Sequence, residues 1–74
     1  MRRTIPINPQ TAAAVAARRR MHGLTQNAVA LEVALSESTI SKIETARVPC
    51  PPQTAAAIER AIDRLTAAQA RAAL

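Results

Sequence analysis

The branched apolar residues of this chain recur at helical spacing. Val29 and Val33 are four positions apart, Ile40 and Ile43 three, and Ile58, Ile62 and Leu65 four and then three. Such intervals place each set on one face of an α-helix, whereas a half-buried strand would need strict alternation. Polar residues bracket the same segments. Asn8, Thr25 and Ser36 carry side chains that accept hydrogen bonds from the first free amides of a helix, and Pro9 suits a first helical position. Gly23 stops the first segment. The run Val48-Pro49-Cys50-Pro51-Pro52 forbids helix until about Pro52, because each proline lacks a backbone donor. The pattern predicts helices over about 9–21, 25–33, 36–45 and 52–65.

Outside these segments, residues 1–8 read as an extended basic arm, since Pro6 and Pro9 push the residues before them away from helical dihedrals. Residues 66–74 continue the fourth pattern weakly, either as one long helix or as a second helix after a break near Thr66, and offer a dimer contact. Pro-Gln-Thr-Ala-Ala-Ala occurs at 9–14 and again at 52–57. The residues that follow do not match, so these are two similar helix starts rather than a duplicated domain.

Composition narrows the picture. The chain has 74 residues, no aromatic side chain and one glycine. Roughly ten Val, Ile, Leu and Met residues can be buried at about 2 kcal/mol each, and conformational entropy cancels most of that gain. Strong helix formers fill the rest and hairpin turns are missing. The expected fold class is therefore all-α, a compact four- or five-helix domain. A core this thin leans on a partner subunit or a ligand.

The net charge is +5, and residues 1–47 hold seven basic and three acidic groups. A basic front half points to a polyanion partner. No apolar stretch is long enough for a bilayer, and no apolar run follows Met1-Arg2-Arg3, so neither a membrane nor a secretory signal is expected. Cys50 alone cannot form an internal disulfide, which fits a reducing bacterial cytoplasm. No nucleophile arrangement, glycine-rich loop or metal-ligand cluster is visible, so the expectation is a non-enzyme without cofactor or metal. His22 has no second ligand at metal spacing.

Residues 23–44 carry the most chemistry. Two short helical patterns meet at a tight corner, and the second leaves Glu37, Ser38, Ser41 and Lys42 outward while Ile40 and Ile43 face a core. This is the outline of a helix-turn-helix, whose second helix enters the DNA major groove. Gly23-Leu24-Thr25-Gln26, Ala30, Ser36 through Ile40 and Ser41-Lys42-Ile43-Glu44 together resemble the Cro/repressor family of DNA-binding proteins, also called the xenobiotic-response-element family. The resemblance is strong over residues 23–47 and extends through the helix pattern over 15–65.

That resemblance implies roles. Gln26 would contact a phosphate. Glu37, Ser38 and Lys42 would read bases, with Ser41 close enough to help. Arg19 would pair with Glu44. The chain departs from the family at Ala34 and Ala46, where glycine is usual, at Leu31, where an exposed polar residue is usual, and in the proline-rich loop, which deletes backbone donors.

The residue types suit these roles. Free amides at helix N-termini favour phosphate oxygens, and Thr25, Asn27, Thr39 and Arg47 add donors beside them. Lys42 can donate to guanine, whereas Glu37 can only accept, from a cytosine or adenine amine. Glu37 is thus a specificity gate, or else simply a carboxylate favoured by the positive end of its helix. Arg18, Arg19 and Arg20 also suit a helix C-terminus; Arg18 and Arg20 are expected to be solvated or near DNA. Arg2 and Arg3 either reach a minor groove or merely add charge to a tail.

The function expected is a small sequence-specific regulator of transcription, a repressor that binds an inverted-repeat operator as a homodimer and suits a phage or mobile element. Ile58, Ile62, Leu65 and Leu74 are the expected dimer surface. The alternative is an antitoxin-like protein whose main role is neutralising a protein partner.

Overall fold

A computed structural model describes residues 6–73. Arg2, Arg3 and Leu74 lie outside the described residues. The chain forms four helices: α1 (Pro9–Met21), α2 (Gln26–Val33), α3 (Glu37–Glu44) and α4 (Pro52–Ala72). No strand occurs among the described residues. The fold is all-α, as the periodicity requires.

Side-chain caps begin the first three helices. The Asn8 side chain accepts from the Gln10 and Thr11 amides at 3.0 and 3.2 Å. Thr25 Oγ1 accepts from the Ala28 amide at 3.0 Å, and Ser36 Oγ from the Thr39 amide at 3.0 Å. Each satisfies an amide that the helix itself leaves free. Helix α4 starts after Pro51 without a side-chain cap, with Pro52 in its first turn.

The same three helices end alike. The residue after each closing turn lies in the left-handed region: Gly23 at φ 67, Ala34 at φ 58 and Ala46 at φ 58. The next amide reaches back five residues, Leu24 to Arg19, Leu35 to Ala30 and Arg47 to Lys42, at 3.1, 2.9 and 2.9 Å. This is the Schellman ending, which occupies the last free carbonyls. At Ala34 and Ala46 the methyl group makes that backbone cost about 1 kcal/mol. The usual corner geometry is therefore kept without glycine.

The core consists of Val15, Leu24, Val29, Ala30, Ile40, Ile43, Ile58 and Ile62, with Val33, Val48, Cys50 and Leu65 packed against it. Buried Ala12, Ala16 and Ala61 let the helices approach closely. α2 packs on α3 and α4, and α1 on the same two. This corrects the expected dimer surface: Ile58 and Ile62 are completely buried within the protomer. A core without aromatic rings needs both side chains, so neither is left over for a partner. Leu65 is half-buried against the same cluster. α4 runs unbroken through Thr66, and residues 67–73 at its end are exposed.

Candidate nucleic-acid interface

α3 is held by its buried side and offers the other. Ile40 and Ile43 anchor it in the core. Glu37, Ser38 and Lys42 are exposed, and Ser41 and Thr39 are half-buried. The Thr39 hydroxyl lies 2.8 Å from Ser36 Oγ, so it also belongs to the cap that starts the helix. Lys42 and Arg47 have no carboxylate partner among the described residues. Both cations remain available to an anion.

The start of α2 is brought beside the end of α3. Thr25 and Asn27 are exposed and Gln26 is half-buried. Gln26 Nε2 donates to Glu44 Oε1 at 3.1 Å. Glu44 is bound in turn by Arg19, whose Nε donates to Oε2 at 2.7 Å and whose Nη2 donates to Oε1 at 2.9 Å. Arg19 Nη1 donates to the Leu24 carbonyl at 2.7 Å. One guanidinium thus joins α1, the corner before α2, and α3.

The Glu44 side chain is 2% exposed. Burial alone would raise its pKa. The hydrogen bonds from Arg19 and Gln26, together with the charges of Arg19 and Arg20, outweigh burial and hold the carboxyl below its ordinary range. The hydrogen bond to Glu44 likewise raises Arg19, against the effect of its own burial. Both groups stay charged at neutral pH.

Two further clamps hold α4. Arg18 bonds both Glu59 and Asp63, which lie one turn apart on α4. Arg18 is therefore tied to α4, a correction to its expected place in solvent or near DNA. Arg64 Nε donates to Glu32 Oε1 at 2.8 Å, tying α4 to α2. Neither contact was foreseen from the sequence. The available signal was the pair of carboxylates four residues apart on α4, facing an arginine triplet.

A model of the helix-turn-helix domain matches residues 10–74. The chain belongs to the helix-turn-helix domain family. No curated protein and no solved structure matches it. The two helices of the motif are α2 and α3, joined at the Ala34 corner. The Cro/repressor resemblance is in keeping with this membership.

Cys50 lines a cleft of about 430 Å³ with Pro6, Asn8, Thr11, Pro52 and Ala55, and burial pushes its thiol pKa up. His22 closes α1. Among the described residues no three His, Cys, Asp or Glu side chains cluster as a metal site would require. No described helix is long and apolar enough to cross a membrane.

Proposed function

We propose that this DNA-binding helix-turn-helix protein is a sequence-specific regulator of transcription, a repressor that binds an inverted-repeat operator as a symmetric homodimer. The observation that carries this reading is the division of α3, with Ile40 and Ile43 sunk in the core and Glu37, Ser38 and Lys42 exposed. A short polar strip on a rigidly anchored helix suits base edges. Lys42 donates to guanine, Glu37 accepts from a base amine, and Ser38 and Ser41 adapt to either. Thr25, Gln26, Asn27, Thr39 and Arg47 face phosphates that set the register.

One α3 covers only about four base pairs, too few for useful selectivity, so two copies about one helical turn apart are required. With Ile58 and Ile62 committed to the core, the exposed last turns of α4, residues 67–73, are the surface proposed for pairing.

Selection from random duplexes followed by sequencing tests the whole reading. An inverted repeat with half-sites about ten base pairs apart is expected. Recovery of no preferred sequence would remove the sequence-specific role. Affinity should also fall with salt at a log–log slope on the order of −5, for a dimer touching about six phosphates. A flat response would remove the electrostatic contacts. Leu31, 74% exposed on α2, favours a second reading in which a protein partner is neutralised. Copurification of one stoichiometric partner from the native host would support it.

A further inference from the structure

The Arg19–Glu44 pair has a third member whose place follows from the chemistry of the other two. An ionised carboxylate has acceptor sites only, whereas a glutamine amide has a nitrogen that donates and an oxygen that accepts. Glu44 can therefore bind Gln26 through the amide nitrogen alone. An amide oxygen in that place would meet lone pairs across the gap. The carboxylate cannot swing away to relieve this, because Arg19 holds both of its oxygens. Arg19 is itself fixed to the Leu24 carbonyl, two residues before Gln26. The bonds close a ring from Leu24 through Arg19 and Glu44 to Gln26, in which the direction of each hydrogen bond is fixed by the chemistry of its partners.

Within that ring one N–H of Gln26, a half-buried residue at the first position of α2, is spent on Glu44, and the second has no partner among the described residues. We propose that Glu44 is a positioning residue for DNA, fixing the Gln26 amide nitrogen-inward so that its second N–H meets a backbone phosphate. The proposal rests on the DNA-binding reading and assigns a recognition role to a residue that would otherwise serve only to lock helices together. Ordering Gln26 before DNA arrives removes part of the entropy lost on binding.

The test has an arm that needs no DNA. In the NMR spectrum of the free protein, one Gln26 side-chain amide proton should be shifted and slowed in exchange relative to those of Gln10, Gln53 and Gln69. It should also show Overhauser contacts to the Glu44 methylene protons. Amide signals like those of the other three glutamines would overturn the proposal.

The second arm compares Glu44→Gln, Gln26→Ala and the double variant on the selected operator and on unrelated duplexes, at a temperature where circular dichroism shows all to be folded. Glu44→Gln should weaken every duplex by about two- to tenfold. In the Gln26→Ala background it should have no further effect. Equal losses in both backgrounds would make Glu44 purely structural and overturn the proposal. Should the parent protein bind no duplex, the DNA-binding reading fails and the positioning role with it, while the amide signal would still report the hydrogen bond.

Discussion

Gly23, Ala34 and Ala46 occupy equivalent places after α1, α2 and α3, yet only the first suits its backbone. A methyl group built on Gly23 would meet nothing within 4 Å, so the cost of a side chain at these corners is conformational and not steric. Ala34→Gly and Ala46→Gly should each stabilise the protein by about 0.5–1 kcal/mol, and Gly23→Ala should destabilise it by a similar amount. Urea denaturation followed by circular dichroism measures all three. A loss of stability in either glycine variant would contradict the left-handed assignment. Thr66 is a third unfavourable residue, because its buried hydroxyl has no hydrogen-bond partner among the described residues. Thr66→Val keeps the shape and should gain about 1 kcal/mol. The sequence marked Ala34 as a departure from a glycine corner but could not tell whether the corner or the residue would yield. The backbone kept its form because the Schellman bonds and the burial of Leu24, Ile40 and Ile43 outweigh one methyl group. The orphaned Thr66 hydroxyl depends on which neighbours surround it, and no local pattern encodes that.

Among elements, the helix starts were legible because capping is local: Asn8, Thr25 and Ser36 each act within three residues of themselves. The long ion pairs divide differently. Arg19 with Glu44 could be expected from the resemblance, whereas Arg18 with Glu59 and Asp63 joins residues more than forty positions apart and appears only once α1 lies on α4. The buried pair has a measurable signature in acid. Glu44 titrates below its ordinary value of 4.5 when folded, so the unfolded chain binds the proton more readily. Its contribution to stability is complete above the ordinary range and is lost as pH falls through the depressed value. Glu44→Gln should therefore lower stability at neutral pH and flatten the acid limb of a stability–pH profile. An unchanged limb would remove Glu44 as its source. Arg19→Ala strands the carboxylate and should cost about 3 kcal/mol. An unaltered melting temperature would contradict that value.

For the molecule as a whole, Ile58 and Ile62 were correctly read as sharing one stripe of α4 but belong to the protomer's own core and not to a partner. Periodicity shows that Ile58 and Ile62 share a face and is silent on what covers it. The answer came from the poverty of the rest of the core, where α1 contributes mainly Val15 and small alanines. Pairing through the end of α4 makes a separate prediction. A chain ended after Thr66 should keep its core, with nearly the parental melting temperature, and lose dimer mass in sedimentation equilibrium together with affinity for two-half-site operators. Retention of the dimer would exclude that end as the contact. The candidate reading face was more legible than the pairing surface, because α3 combines its cap, its anchors and its polar strip within nine residues, Ser36 to Glu44.

α4 is one rod in space, but its two parts have different surroundings. Up to Leu65 it touches the cluster beneath α1 and α2, while from residue 67 onward it is bathed in solvent. Alanine keeps such an end coiled by intrinsic preference alone, and a helix without tertiary cover opens at little cost. Amide deuteration should therefore grade along a continuous cylinder, slow near Ile62 and rapid beyond Ala67. Anything that seals the distal turns, a second copy included, would appear as a sudden silence in that gradient.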